Sequence, residues 1–216
     1  MRWILMLGLC LTLAWPRWAS ADETELSQLV AKVESFYQNV SSFSARFEQK
    51  VERSHLPDHP LKKSGKVYFK KPGKMRWDYA RPDKVHYVSD GEFLWNYIPE
   101  SQLVYQFRVQ DSELFYALRF LVGEGSLASD FLVSDGGSNG PHRVLVLSPK
   151  GAHQNFQELK LFVDPADGHI DATVLTDPAG NTSHLTFLKV SYKPLPDKGF
   201  RFTPPSGVEV IKPGQE

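Results

Sequence analysis

From Ser42 onward, hydrophobic and polar positions alternate in short runs separated by turn residues. Phe43, Ala45 and Phe47 alternate with Ser44, Arg46 and Glu48, which predicts a half-buried strand over Ser42 to Lys50. A polar loop containing Pro57 and Pro60 is expected after it. Strands are then predicted at Lys66 to Lys70, Met75 to Tyr79, Val85 to Val88, Glu92 to Tyr97 and Val104 to Val109. Their separators are Lys71-Pro72-Gly73, Arg81-Pro82-Asp83 and Ser89-Asp90-Gly91, too short for crossover helices, so the pairing is an antiparallel meander. The pattern resumes at Phe131 to Ser134, Arg143 to Leu147, Gln157 to Val163, His169 to Leu175 and His184 to Tyr192. Roughly ten or eleven strands make a sheet wide enough to curl or close on itself.

Two stretches change to helical period. Asp22-Glu23-Thr24-Glu25 has capping-box spacing, and Leu26, Leu29, Val30, Val33, Phe36, Tyr37 and Val40 then recur every three or four residues. This predicts a helix with one apolar face that packs on the sheet. The second stretch, Ser112 to Val122, is apolar nearly all round, with Arg119 as the polar residue of its body. Such a helix touches hydrophobic material on two sides. The fold class is therefore mainly β with helices (α+β), a curved antiparallel sheet with helices against it.

The strands carry aromatic triplets. Met75, Trp77 and Tyr79 share one side of their strand, as do Phe93, Trp95 and Tyr97, and both triplets are expected to line one aromatic face of the curled sheet. Two helices do not fill the space such a sheet encloses. Part of the lining, together with Leu114, Phe115, Leu118 and Leu121 of the second helix, is therefore expected to face a greasy ligand cavity under a helical lid.

The N-terminus adds a destination. Arg2, the apolar run Ile4 to Trp15 and the small-residue site Ala19-Ser20-Ala21 read as a secretory signal peptide over residues 1–21, with cleavage after Ala21. Residues 22–216 then form a single domain. Leu9 before Cys10 does not fit a lipidation site. Of 25 basic and 25 acidic residues, Arg2 and Arg17 leave with the leader, so the mature chain is near −2 and lacks cysteine. A near-neutral charge offers no basic field for nucleic acid, and no disulfide helps the core.

The motifs that match catalytic or metal patterns by letter lack the context their chemistry needs. Gly136-Gly137-Ser138-Asn139-Gly140 matches G-x-S-x-G, but a strand follows it where a nucleophile elbow needs a helix. His55 and His59 flank Pro57, which precludes a helix presenting both to one metal, and Asp164 to Gly168 lacks the twelve-residue calcium-loop pattern. The expectation is a protein that is not an enzyme and has neither metal nor cofactor.

A family resemblance runs through most of the mature chain, from Leu26 to Ile211. Phe43-x-Ala45-x-Phe47-x-Gln49 begins it, and Gly65-x-Val67 leads through Lys71-Pro72 to Trp77 and Pro82. Val88-Ser89-Asp90-Gly91 with Trp95-x-Tyr97-x-Pro99 follows, and Phe202-x-Pro204-Pro205-x-Gly207-Val208 ends it. In order and spacing these pieces resemble the LolA family of periplasmic lipoprotein carriers. The resemblance implies an unclosed β-barrel covered by an α-helical lid. It also implies a monomeric periplasmic chaperone that takes the acyl chains of lipoproteins from an inner-membrane ABC transporter to an outer-membrane receptor. The acyl chains would lie on the two triplets and the second helix.

The family often has Arg where Lys71 stands, as a latch bonding lid backbone. Here Lys71, with Arg76 beside it, takes that place, and a lysine keeps the charge but loses the planar fork. Gln102 and Leu103 after Pro99 depart from the family's spacing. The alternative is a related carrier or sensor of another envelope lipid such as a glycolipid. An exported hydrolase using Ser138 and a ligand-free structural sheet are the readings from other classes.

Overall fold

The computed structural model describes residues 21–109, 125–150 and 156–213. Residues 1–20 of the predicted leader and the predicted helix Ser112 to Val122, with Leu114, Phe115, Leu118 and Leu121, lie outside the described residues. Helix α1 (Ala21–Asn39) precedes strands β1 (Ser42–Arg53), β2 (Leu56–Lys70), β3 (Lys74–Arg81), β4 (Val85–Ser89), β5 (Phe93–Ile98) and β6 (Leu103–Arg108). A short helix α2 (Leu127–Asp130) then leads to β7 (Phe131–Asn139), β8 (His142–Pro149), β9 (Glu158–Val163), β10 (Ile170–Thr176) and β11 (Thr182–Ser191). A 3-10 turn (Asp197–Phe200) and β12 (Glu209–Ile211) follow.

The twelve strands among the described residues form one sheet in the order β12-β6-β5-β4-β3-β2-β1-β11-β10-β9-β8-β7. Neighbours are antiparallel, except that β12 runs parallel to β6. Among the described residues no ladder joins β7 to β12, so hydrogen bonds do not close the sheet. It is nonetheless curled. Trp77 and Leu94 belong to the same buried cluster as Phe131 and Leu145, which lie toward the opposite edge, and Leu29, Val30, Val33 and Tyr37 of α1 join them. A flat sheet cannot bring its two ends to one helix.

The loop expected around Pro57 and Pro60 is instead strand, because β2 starts at Leu56 and makes a long hairpin with β1. The prolines are tolerated because the β1–β2 register breaks there, between Val51 opposite Leu61 and Arg53 opposite Leu56. On the other side, β3 pairs with β2 only from Ser64 onward. A proline that lacks N–H is accommodated where the ladder does not need it.

Two glycines mark close approaches. Opposite Phe47, Gly65 has no room for a side chain: a Cβ would lie 2.1 Å from the Asp78 carbonyl oxygen and 2.9 Å from the Phe47 ring. Gly168, at φ +90, lets the β9–β10 turn reach α1, where a Cβ would stand 2.8 Å from the Lys32 carbonyl. Gly65→Ala must push β3 away from β2 and is expected to cost about 2–3 kcal/mol in denaturant unfolding with little change in slope. An unchanged midpoint would contradict this packing.

Candidate functional site in the concavity and at its seam

Register decides which side chains face the concavity. Trp77 lies opposite Val67 on β2 and opposite Tyr87 on β4, and Tyr87 lies opposite Asn96 on β5. Met75, Trp77 and Tyr79 therefore share the concave face with Tyr87, Leu94 and Asn96. Met75 is 1% and Trp77 2% exposed, with the Trp77 ring 4.9 Å from Phe47 and 6.0 Å from Phe69.

The other triplet is on the opposite side. Trp95 pairs with Val88, and Tyr97 with His86, so Phe93, Trp95 and Tyr97 face the convex surface. Their shared face with Met75, Trp77 and Tyr79 is thus corrected: the alternation within each strand is right, but the β4–β5 register inverts the second triplet. Phe202 covers it, its ring 6.0 Å from Trp95 and 5.8 Å from Tyr97. The segment carrying Phe202 is anchored by Asp197 to Lys70 at 3.0 Å and Lys74 at 2.8 Å, and buried Phe200 packs beside it. Hydrogen bonds from Lys74 and Lys70 pull the Asp197 carboxyl down to about 2.

Arg76 is also convex. Its Nε donates to Asp78 at 2.7 Å and Nη1 to the Gly199 carbonyl at 3.3 Å, so Arg76 secures the C-terminal segment and is corrected as a partner of the latch. His86 Nδ1 lies 2.6 Å from the other oxygen of Asp78. Lys71 points to α1. Its ammonium donates to the Tyr37 carbonyl and, at 3.0 Å, to the Gln38 carbonyl, two orphan acceptors in the last turn of the helix. Burial lowers the Lys71 pKa.

Further contacts fix α1 across the concavity. Tyr37 Oη accepts from Ile170 N–H at 3.1 Å, Lys32 Nζ donates to the Pro165 carbonyl at 2.6 Å, and the Phe36 ring lies 6.0 Å from His169. Burial pushes the Tyr37 hydroxyl far up, keeping it neutral. His169 sits between two carboxylates, with Nδ1 2.6 Å from Asp167 and Nε2 3.2 Å from Asp171, whose other oxygen is 2.9 Å from His142. Burial alone lowers the His169 pKa, but these carboxylates outweigh it and the net shift is upward.

Asp164, Asp167 and His169 each place a donor atom within 4.8 Å of the others, the one such group of three among the described residues. Their atoms serve the turn: Asp164 accepts from Ala166 N–H at 2.8 Å, and Asp167 from His169 N–H at 3.0 Å. Ser138 lies in β7 opposite Arg143, within a hairpin and not at a strand-to-helix elbow.

At the β7 edge α1 does not seal against the sheet. A groove of about 460 Å³ opens between Leu26, Val30 and Ala31 of the helix and Phe131 and Val133 of β7, with Glu34 and Lys150 at its walls. Across it the polar ties are long, Ala128 N–H to Glu34 at 3.3 Å and Arg143 to Glu25 at 3.5 Å. The sequence reading missed this groove. Its signal was the breadth of the α1 stripe, which extends to the half-buried Leu26 at the margin of the packed face. A smaller opening of about 80 Å³ on the concave face is walled by Lys63, Tyr79, Val85 and Tyr87.

A curled, unclosed antiparallel sheet with a helix bound in its concavity and an apolar groove at their seam belongs to the lidded open-barrel class. Residues 38–203 match the family described as outer membrane lipoprotein carrier protein LolA, and the chain belongs to that family. An outer-membrane lipoprotein carrier protein of Ralstonia nicotianae is 28% identical over 98% of this chain and 97% of its own. The one of Dechloromonas aromatica is 30% identical over 84% and 86%. Solved structures agree on the fold. A LolA superfamily protein from Nitrosomonas europaea aligns with TM-score 0.50 at 14% identity, covering 82% of this chain and 97% of that one. A conserved protein from Thermus thermophilus aligns with TM-score 0.53 at 14% identity, covering 86% and 98%.

Lys71→Ala leaves two helix-end carbonyls short of a charged donor and is expected to destabilise by about 1–2 kcal/mol, whereas Lys71→Arg recovers most of the loss. Faster amide exchange confined to the last turn of α1 would identify the cause. For His169, the raised pKa means that its stabilisation is complete below the unfolded value of about 6.5 and fades as pH rises through the folded value. His169→Gln should therefore melt below the parent at roughly pH 5.5, and the gap should close by roughly pH 8.5. A gap independent of pH would remove His169 from this role.

Proposed function

We propose that this protein is a periplasmic carrier that holds the acyl chains of lipoproteins between helix α1 and the concave face of its sheet. The observation that carries this reading is the apolar seam of about 460 Å³ between α1 and β7, in a chain of the LolA family. In the proposed cycle, residues 1–21 direct export and are removed after Ala21. An inner-membrane ABC transporter then loads the mature monomer, which crosses the periplasm and unloads to an outer-membrane receptor.

Chain burial sets the need for such a protein. At about 0.8 kcal/mol per methylene, an acyl chain of roughly fifteen carbons costs about 12 kcal/mol to leave in water. A binding protein meets that need without any bond being made or broken. Met75, Trp77 and Tyr79 are proposed to line the concave wall, and Leu114, Phe115, Leu118 and Leu121 to contribute to the cover. Lys71 is proposed to act as a latch through α1, because its ammonium bonds the end of that helix.

The test is release of labelled triacylated lipoprotein from spheroplasts into the soluble fraction by the purified mature protein. A one-to-one soluble complex is expected, with the bound carrier having the mass of residues 22–216. Ala31→Glu, at an exposed position of the groove, places a carboxylate where the chain would run and should lower recovery at least several-fold while leaving stability within about 0.5 kcal/mol. If a cognate transporter is present and folded protein extracts no lipoprotein, that cargo is wrong. Copurification of a glycolipid would then favour a carrier of another envelope lipid.

A further inference from the structure

Several buried or half-buried polar groups on the concave side have partners. Tyr79 donates its hydroxyl to Gln49 Oε1 at 3.1 Å, and Gln49 Nε2 donates to Ser183 Oγ at 2.8 Å. Among the described residues three buried side-chain atoms have no hydrogen-bond partner: Trp77 Nε1, Asn96 Oδ1 and Arg143 Nε. The rest of the Arg143 guanidinium is engaged, with Asp135 at 2.8 Å and Glu25 at 3.5 Å, so its charge is accounted for.

The other two atoms belong to one row. Val67, Trp77, Tyr87, Asn96 and Tyr105 stand opposite one another on β2, β3, β4, β5 and β6, all on the concave face. A donor and an acceptor are thus unpaired two strands apart, their backbones separated by roughly 10 Å. Trp77 is only 2% exposed, and an indole N–H buried without a partner is a net loss that a phenylalanine ring at the same place would not incur.

We infer that Trp77 and Asn96 form a polar subsite in the apolar concavity that receives a neutral secondary amide joining an acyl chain to the rest of its ligand. This rests on the lipid-carrier reading above. The ligand carbonyl accepts from Trp77 Nε1–H, and the ligand N–H donates to Asn96 Oδ1. Other linkages do not match. Esters and carboxylates bring acceptors only, and an ammonium brings donors only. An anionic head has Lys63 on the same face, 5.6 Å over the Tyr79 ring, as the better partner. A trans amide directs its oxygen and its N–H to opposite sides, which suits a donor and an acceptor carried on different strands. The opening walled by Tyr79 and Tyr87 lies beside this row.

The mature chain contains only two tryptophans, so Trp95→Phe, a convex-face change, leaves Trp77 as the sole indole. Its emission can be titrated with N-methyldodecanamide and with methyl dodecanoate, which differ at a single N–H. We expect the amide to bind about five- to tenfold more tightly. Asn96→Leu should bring that ratio to one with the ester affinity retained, and Trp77→Phe, followed by calorimetry, should do the same. The ratio is a readout that general loosening of the core does not move. Equal binding of amide and ester to the parent would overturn the subsite and leave the carrier reading standing. Preference for dodecanol over the amide would overturn the amide assignment. If neither ligand binds the folded protein, the carrier reading falls, and the subsite with it.

Discussion

Burial of one helix in the concavity of one sheet is the constraint on which the rest of this structure depends. A single sheet has nothing to cover its apolar face unless it curls or finds another layer. Here Leu29, Val30, Val33 and Tyr37 of α1 are that layer, sharing a cluster with strands toward both edges of the sheet. Curling in turn demands close approaches, at Gly65 between β2 and β3 and at Gly168 beneath Lys32. The polar groups then orient the helix: Tyr37 and Lys71 at its C-terminal end, Lys32 along its flank. Hydrophobic burial holds α1 in the concavity, and these directional bonds set its orientation.

The convex side is organised separately. Val88, 1% exposed, and Val104, 0% exposed, face away from the helix yet are fully buried, on the side of the sheet that the segment with Phe200 and Phe202 covers. Ion pairs from Asp197 to Lys70 and Lys74 tie this strap to β2 and β3. Because the strap supplies its own aromatic packing against Trp95 and Tyr97, the convex core does not rely on what fills the concavity. A ligand can then enter on the inner side while the outer layer keeps the sheet together.

Much of this was legible in the sequence, because period-two alternation and short turns report strands directly. The face that each aromatic triplet occupies was not. Within a strand, alternation puts Phe93, Trp95 and Tyr97 together, but which side they take depends on the register across the β4–β5 turn, where Tyr87 meets Asn96 and not Trp95. Nothing local to either triplet encodes that pairing. Pro57 and Pro60 misled for a related reason: whether a proline ends a strand depends on whether its missing N–H faces a partner. Lys71 could be placed beside backbone by family resemblance, since it adjoins Pro72 in a turn, but that its acceptors are the Tyr37 and Gln38 carbonyls is a tertiary fact. The groove at β7 was hidden because Leu26 and Val30 read equally well as packing residues.

A carrier must hold its cargo firmly against water and yet release it, and the distribution of contacts around α1 meets both requirements. At the end of the helix near Lys71, the Tyr37 and Gln38 carbonyls accept from the Lys71 ammonium and the Tyr37 hydroxyl accepts from Ile170 N–H. On the β7 side the Ala128–Glu34 and Arg143–Glu25 contacts are longer and an apolar gap lies between helix and strand. On the proposed reading, a chain entering at that side exchanges water for methylene contacts. Each methylene withdrawn from water contributes about 0.8 kcal/mol, and the same quantity must be regained elsewhere before the chain leaves. On that proposal, transfer is near free-energy neutral only when the accepting surface is equally apolar and in direct contact with the seam. A carrier working as proposed would not empty into solvent, and its direction would be set by which surface meets the β7 edge.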